Sequence, residues 1–274
     1  MRTSPAAAPY FIMAHHRSGS NFLNDLLQAH PRLECVNEPF SMHTAFFRRC
    51  DLEPWRREEF DPVMLHPELA PHPTLRNYLL ELRAYLSHSS GTRVIGFKDT
   101  VLFEKLEWLK AFIPSLKIVF LKRDPRAIVS SVLRSNLVGL WDYARLVPPA
   151  FAKIKPDYVS RIDSTDASVA AAEIVAMSIA TRYAHARRAL EGFEHLQIHL
   201  DELTHEPAMQ LERLSAFLGV PPHQGPLSFL AQRQAVSRGG AFSSFRSHDD
   251  VRNTWSRHLS AAQVRAVETV MDCP

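Results

Sequence analysis

Cysteine is scarce in this sequence, and the few cysteines that occur form no recognisable pattern. Only Cys35, Cys50 and Cys273 are present among 274 residues. Because their number is odd and their spacing is not that of metal ligands, neither a disulfide framework nor a zinc site is indicated. The 14 histidines contain no HExxH pattern, which argues against a zinc-protease helix. This usage is typical of a reducing compartment, and we expect a cytoplasmic protein without a metal site.

A strong charge of one sign and long apolar runs are also missing. The net charge is only +3, so we expect no nucleic-acid partner and at most a local basic site for a small polyanion. No apolar run approaches the roughly 20 residues of a membrane-spanning helix, and the start, MRTSPAAAPY, lacks the apolar core of a signal peptide. Hydrophobic residues make up 46% and charged residues 22%, which is enough for a buried core.

Short apolar runs alternate with helical patterns along the chain. We predict buried strands at residues 10–14, 32–36, 93–98, 117–122 and 195–200. We predict helices at residues 20–29, 74–88, 101–112, 125–135, 167–192 and 206–218. This alternation predicts an α/β fold with a central parallel β-sheet, right-handed crossovers and helices on both faces.

The domain organisation follows from the absence of linkers and repeats. No long Gly/Ser linker or low-complexity tract interrupts the chain, so we interpret residues 1–274 as a single domain with a flexible N-terminus at residues 1–9. The irregular segments 41–75 and 136–165 are expected over the carboxyl ends of the strands, where such folds bind ligands. The sequence ends at VETVMDCP inside a helix-like pattern, which leaves the completeness of the C-terminus and the oligomeric state open.

The segment FIMAHHRSGSNFLNDLL has the order strand, tight turn, helix that is typical of an anion-binding loop. Backbone N–H groups and the dipole of the helix would point at an anion held by the turn. Gly19 lets the backbone approach the anion closely, Ser20 and Asn21 offer donors, and Arg17 supplies a cation. Taken alone, the same pattern is also that of an ordinary strand–helix connection.

A second charged turn follows the strand in IVFLKRDPRAIVSSVLRS. Pro125 suits the first turn of a helix, and Ser131 follows Arg123 by just over two helical turns, so both side chains can converge on one phosphate. The alternative is purely structural: Asp124 would cap the helix, and the serine would be buried within it.

In this order, the two motifs resemble the sulfotransferases that use 3′-phosphoadenosine 5′-phosphosulfate (PAPS), above all their carbohydrate and bacterial branches. The phosphosulfate loop of that family, K/R-S-G-T/S-x-x-L, is similar to RSGSNFL, and its 3′-phosphate site is similar to Arg123 and Ser131. The resemblance implies a P-loop-like nucleotide-binding sulfotransferase fold. It implies donor-binding roles for Arg17, Ser18, Gly19, Ser20, Asn21, Phe22, Arg123, Ser131, Arg246 and Arg252.

Two later segments extend the resemblance to about residues 10–270. The segment HLQIHLDELTHEPAMQLERLSAFLGV looks like the strand–helix element of the family, with Glu202 where a glutamate often stands. The segment SSFRSHDDVRNTWSRHLS resembles the part whose arginines, here Arg246 and Arg252, close over the 3′-phosphate, with Trp255 before the final helix.

The missing lysine–serine ending of a nucleotide-hydrolase loop fits this resemblance. That ending holds Mg²⁺ and a γ-phosphate, whereas sulfuryl transfer has no γ-phosphate and no equal need for a metal. We therefore expect PAPS as co-substrate and no metal. A small-molecule kinase, or a non-catalytic nucleotide-binding protein, is the alternative of another class.

Sulfuryl transfer needs a base for the acceptor proton and cations for the leaving oxygen. Arg17 stands in place of the family's loop lysine, and Lys98 is the second candidate cation. The cytosolic branch has Lys-Thr-His after this strand, but the string here is Lys-Asp-Thr. The resemblance then implies Glu38, in CVNEPF, as general base, and Asp99 and the neighbouring His15 and His16 are its rivals.

The acceptor is left open by the sequence. A carbohydrate or another small molecule fits the resemblance, and the aromatic segment NLVGLWDYARLVPPAF either lines its pocket or packs in the core.

Overall fold

The computed structural model describes residues 7–40, 73–90, 92–100, 102–135, 147–160, 162, 166–235 and 248–272. Most of the predicted N-terminal tail and large parts of the two predicted insertions lie outside the described residues. The chain forms two compact units, residues 1–122 with 188–232 and residues 123–187 with 233–274. The single domain expected from the sequence stays a prediction.

The first unit is built on a five-stranded, wholly parallel sheet, as predicted. The strand at residues 195–199 was expected to be buried, but it lies at the edge of the sheet and only Ile198 is buried. The strands are β1 (Tyr10–Ala14), β2 (Leu33–Asn37), β3 (Val94–Asp99), β4 (Lys117–Lys122) and β5 (His195–His199). Their order is β2-β3-β1-β4-β5, so β1 is central. The chain adds β2 and β3 on one side of β1, and then β4 and β5 on the other side. Both β1 and β3 are buried along their whole length, which is why their sequences read as nearly continuous apolar runs.

Six of the helices agree with the predicted ones to within five residues. The final helix was indicated without bounds, and three others were not indicated by the sequence. The helices are α1 (Ser20–Gln28), α2 (Pro73–Leu86), α3 (Leu106–Phe112), α4 (Pro125–Arg134), α5 (Ala167–Ala189), α6 (Leu200–His205), α7 (Pro207–Leu218), α8 (Gln224–Ala235), α9 (His248–Asn253) and α10 (Ala261–Met271). The helices α6, α8 and α9 were not predicted. In the first unit, α1, α2, α6 and α7 pack on the strands.

Helix ends follow the chemistry of their terminal residues. Asp124 caps α4 by accepting the backbone N–H of Arg126, and Ser260 forms a capping box with Gln263 at the start of α10. Gly219 ends α7 in the left-handed conformation that a side chain would disfavour. These are local signals, and they account for the accuracy of the predicted boundaries.

The second unit has its own apolar core. Residues of α4, α5 and α10 form one buried cluster together with the short helical segment at residues 147–152. Ile128, Ala172 and Ile179 are fully buried in this cluster, and Trp255 packs against it. Among the residues that the structure describes, no helix combines the length and hydrophobicity that a membrane span requires.

Gly96 is required by the packing of the central strands, and its replacement offers a test of the fold. Gly96 pairs with Tyr10 across β3 and β1, and a Cβ added there would lie 2.6 Å from the Tyr10 ring. The ring is held in place because its hydroxyl donates to the Glu34 carbonyl at 2.9 Å. We expect Gly96→Ala to lower the free energy of unfolding by about 1–3 kcal/mol, as measured by chemical denaturation.

Gly219→Ala serves as the matched control for that variant. A Cβ at Gly219 meets nothing within 4 Å, but the residue has a φ of 71°, so only backbone strain of about 1 kcal/mol is expected. A Gly96→Ala variant as stable as the wild type would contradict the close packing of Tyr10 on β3.

Candidate active site

The turn between β1 and α1 has an unusual backbone conformation. Arg17 has a φ of 67° and Gly19 a φ of 90°, and the left-handed conformation is unfavourable for arginine. The turn is closed where the Ser18 N–H donates to the His15 carbonyl at 3.1 Å. Strain of this kind is common at ligand-binding turns.

Gly19 and Ser18 are the parts of this turn that fit an anion. A Cβ at Gly19 would lie 2.8 Å from a methyl carbon of Leu200, so both the backbone and the packing require glycine. As N-cap, Gly19 gives the first turn of α1 no side-chain acceptor, and those N–H groups are suited to an anion. The Oγ of Ser18 is buried without a hydrogen-bond partner among the described residues, so a ligand oxygen would satisfy it.

Lys98 and Glu38 form a buried ion pair at the carboxyl ends of β2 and β3. The Nζ of Lys98 donates to Glu38 Oε1 at 2.6 Å and to Asn21 Oδ1 at 2.5 Å. The side chain of Lys98 is 0% exposed, whereas that of Glu38 is 34% exposed. A buried ammonium group must be paired, and here one residue from α1 and one from the loop after β2 provide the acceptors.

These contacts bring two of the three predicted catalytic residues, Glu38 and Lys98, together, while the third, Arg17, lies in the turn before α1. Register explains the pairing, because Asn37 at the end of β2 lies opposite Lys98 in β3. Asn21 was predicted only as a donor ligand, and its contact with Lys98 was not foreseen. An ammonium group has three N–H donors, and the two contacts described here use two of them.

The loop after β2 holds Glu38 in a left-handed conformation, with a φ of 45°. The Glu38 N–H donates to the Lys98 carbonyl at 2.7 Å. Asp99, the next residue of β3, accepts the N–H of Phe40 at 3.2 Å and that of Thr100 at 2.7 Å. The hydroxyl of Tyr78 donates to the Pro39 carbonyl at 2.9 Å.

The rival bases differ from Glu38 in their surroundings. Asp99 is 2% exposed, and each of its carboxylate oxygens accepts a backbone N–H. His15 is buried, and its Nδ1 contacts the His16 carbonyl at 2.8 Å.

Cys35 is the one cysteine within the described residues, and burial raises the pKa of its thiol to about 12, so it is no nucleophile at neutral pH.

The second predicted anion site lies in the second unit. Arg123 follows β4, is 8% exposed, and donates from Nη2 to the Val251 carbonyl of α9 at 3.3 Å. Ser131 is buried in α4. The neighbouring Ser130 Oγ is buried and has no partner among the described residues. Asp124 does cap α4, so the structural alternative is correct for this residue. The cap does not test the predicted role of Arg123.

Arg126 connects α4 to the C-terminal segment of the same unit. Its guanidinium group pairs with Asp124 at 2.8 Å and with Glu268 at 3.0 Å, and it lies 4.1 Å above the ring of Trp255. The hydrogen bond to Asp124 is the main cause that raises the pKa of Arg126. This stacking was not predicted, although Trp255 does precede the last described helix.

The other predicted residues fall in different places. Arg252 is exposed in α9, and Arg246 lies outside the described residues. Glu202, in α6, accepts a hydrogen bond from Gln210 of α7 at 3.4 Å, which is a contact between helices. Phe22 lies near Phe229, with 6.3 Å between ring centroids.

The described part of the chain holds no cluster of three or more His, Cys, Asp or Glu side chains that could bind a metal.

Comparison with known proteins decides the family. A family model described as Sulfotransferase family matches residues 9–224. The chain belongs to the sulfotransferase family. Nodulation protein H of Rhizobium tropici is 24% identical to this sulfotransferase over 232 residues, which cover 84% of this chain and 83% of that protein.

Solved structures agree on the fold. The sulfotransferase domain from the curacin biosynthetic pathway matches with a TM-score of 0.53 at 15% identity, covering 96% of this chain and 97% of that one. Mouse sulfotransferase SULT7A1, complexed with PAP, matches with a TM-score of 0.52 at 13% identity, covering 96% and 82%. At such identities these matches show the fold alone. The predicted family and fold class are confirmed.

Proposed function

We propose that this sulfotransferase moves the sulfuryl group of PAPS to a hydroxyl of a carbohydrate or another small molecule, with Glu38 as general base. The observation that carries the proposal is the Lys98–Glu38 pair, in which a buried ammonium group holds a half-exposed carboxylate at 2.6 Å. Asn21 contacts the same ammonium at 2.5 Å, so the pair adjoins the phosphosulfate loop.

In the proposed reaction, the acceptor oxygen forms a bond to sulfur while the bond from sulfur to the bridging phosphate oxygen breaks. The hydroxyl proton passes to Glu38, and adenosine 3′,5′-bisphosphate (PAP) leaves with the new negative charge. Arg17 and Lys98 stabilise that charge. A fixed in-line geometry is the other requirement, and the first turn of α1 with Ser18 would supply it on the donor side.

The donor has two anionic ends, and the resemblance assigns each of them to a separate set of residues. The 5′-phosphosulfate belongs to the loop at residues 17–22, and the 3′-phosphate to Arg123 and Ser131, with Arg252 and Arg246 as further contacts. Buried arginine favours phosphate because its guanidinium group stays charged and can donate twice. That one structural neighbour is described as complexed with PAP supports this donor.

The alternatives are weaker on specific grounds. A kinase would want the lysine–serine ending that this loop lacks, and the family is that of sulfuryl transfer. A non-catalytic binding protein would not need a base, and the joint presence of Arg17, Glu38, Arg123 and Ser131 argues against it. We also propose that the protein is cytoplasmic, that it forms a single domain, and that it requires neither a metal nor nucleic acid.

The first prediction concerns binding of PAP, the product of the donor. PAP should raise the melting temperature equally with and without a chelator, because arginine and backbone N–H groups bind it. Arg123→Ala should weaken PAP binding by about 1.5–3 kcal/mol, roughly tenfold to a hundredfold. Thermal shift and calorimetric titration measure both effects.

Arg134→Ala is the control, because Arg134 is an exposed arginine at the end of α4, the helix that begins two residues after Arg123, and its loss should leave the affinity unchanged. A shift that disappears with chelator, or an Arg123→Ala variant with the wild-type dissociation constant, would contradict the assignment of this site.

The second prediction concerns Glu38. Glu38→Gln keeps the size of the side chain but cannot accept a proton, so PAPS affinity should hold while kcat falls by a factor of about 10²–10⁴. The wild-type rate should fall on the acid side as the carboxylate takes up a proton, and the variant should lose that dependence. Steady-state rates from acid to neutral pH provide the measurement.

The rivals belong in the same experiment. His15→Ala and His16→Ala should keep the acid-side loss of rate, because neither removes the base. If Glu38→Gln turns over normally while one of these variants is inactive with donor still bound, the assignment of Glu38 is wrong and the family assignment is unaffected.

A further inference from the structure

We propose that Asp99 and Tyr78 are positioning residues that fix the loop carrying Glu38, and that neither takes part in proton transfer. The inference rests on the proposed role of Glu38. It assigns Asp99, the strongest rival base, a different function in the same reaction.

The loop needs such support because its conformation is strained. Glu38 has a φ of 45°, and a left-handed residue other than glycine costs about 1–2 kcal/mol. Such residues persist only where surrounding contacts hold them. The single hydrogen bond from the Glu38 N–H to the Lys98 carbonyl, at 2.7 Å, fixes one end of the loop.

Asp99 fixes the other end. Its Oδ1 accepts the N–H of Thr100 at 2.7 Å, and its Oδ2 accepts the N–H of Phe40 at 3.2 Å. The carboxylate therefore ties the residue that follows β3 to the residue two places after Glu38. Because Lys98 precedes Asp99 in the same strand, the contact also sets where Glu38 lies relative to its cation.

Tyr78 holds the residue between them. Its hydroxyl reaches from α2 and donates to the Pro39 carbonyl at 2.9 Å. Burial, with a smaller contribution from the charge of Asp99, raises the pKa of Tyr78 to about 12, so the hydroxyl stays a donor at neutral pH. Three successive loop residues are thus held by hydrogen bonds with three different partners: Glu38 and Phe40 donate, and Pro39 accepts.

The ring of Phe40 completes the anchor. It is fully buried and lies edge-on to Phe97 and Trp108, at centroid distances of 6.1 and 6.4 Å. The backbone N–H of Phe40 is thus held by Asp99, and the Phe40 ring is held in the core. A carboxylate that already accepts two backbone N–H groups is suited to support and poorly suited to receive the acceptor proton.

The test is a double-mutant cycle between Asp99→Asn and Glu38→Gln, with PAPS as donor. Asp99→Asn replaces one acceptor oxygen by an amide donor, so the side chain can no longer accept the N–H groups of both Phe40 and Thr100. We expect kcat to fall by roughly tenfold to a hundredfold, as for a small misplacement of a catalytic group. The PAPS dissociation constant and the acid-side loss of rate should both be kept.

Because Asp99 acts through Glu38, Asp99→Asn should have little further effect in a Glu38→Gln background. Tyr78→Phe removes one neutral hydrogen bond and should lower kcat by about two- to tenfold. Tyr85→Phe is its matched control, because Tyr85 lies on the same helix and its hydroxyl accepts a hydrogen bond from the exposed Arg93 at 3.4 Å.

Hydrogen exchange provides the readout that is independent of activity. The Phe40 N–H should be protected in the wild type and should exchange faster in Asp99→Asn. If Asp99→Asn fails to fold, the cycle between Tyr78→Phe and Glu38→Gln decides the matter by the same criterion of non-additivity.

The outcomes separate this inference from the proposed function. If Glu38→Gln turns over normally, both are wrong. If Glu38→Gln is slow but the Asp99→Asn effect multiplies with it, or is absent, the support role alone is wrong. If Asp99→Asn abolishes the acid-side loss of rate and Glu38→Gln keeps it, Asp99 is the base.

Discussion

The burial of the Lys98 ammonium group is the constraint on which the candidate site depends. An ammonium group fully removed from water is strongly destabilising unless oxygen atoms surround it. Glu38 and Asn21 provide two such oxygens, at 2.6 and 2.5 Å. The requirement therefore joins the loop after β2, the start of α1 and the end of β3. Removing one partner would leave an uncompensated charge in the core, so the geometry of the site is tied to the stability of the sheet.

The second unit solves a similar problem with arginine. Arg123 is nearly buried and donates to a backbone carbonyl of α9, while Arg126 is held by Asp124, Glu268 and the ring of Trp255. A guanidinium group keeps its charge in such surroundings, and its flat face packs on aromatic rings. The segment RDPRA thus places Arg123 against a backbone carbonyl of α9, while Arg126 attaches the C-terminal segment to α4.

Local sequence patterns made the strands and the two turns predictable. The five strands are short runs with clear ends. Both turns predicted to bind anions follow a strand and precede a helix, so residues 17–22 and Arg123 could be placed in their turns from sequence. The helix α6 was missed because it begins directly after β5, where LDELTH lacks a separating turn. The short α9 has too few residues for a periodic pattern.

Tertiary contacts were not predictable in the same way. Nothing near Asn21 in the sequence indicates that its side chain contacts a lysine 77 residues away. The sequence around Tyr78 likewise does not indicate its hydrogen bond to the Pro39 carbonyl. Asp99 was predicted only as a rival of Glu38 for the role of general base. Its contacts with the N–H groups of Phe40 and Thr100 depend on the fold around β3 and cannot be inferred from residue type.

The measurement that tests the central claim most directly is transfer of the sulfur-35 label from PAPS to a panel of sugars, phenols and nucleosides, by the wild type and by Lys98→Met. Methionine has a similar length and suits a buried position, so the fold should persist. The account predicts labelled product with the wild type and a rate lower by a factor of about 10² or more with Lys98→Met, because the leaving oxygen and Glu38 both lose their cation. Transfer by Lys98→Met at the wild-type rate, or no transfer by the wild type to any acceptor class, would contradict it.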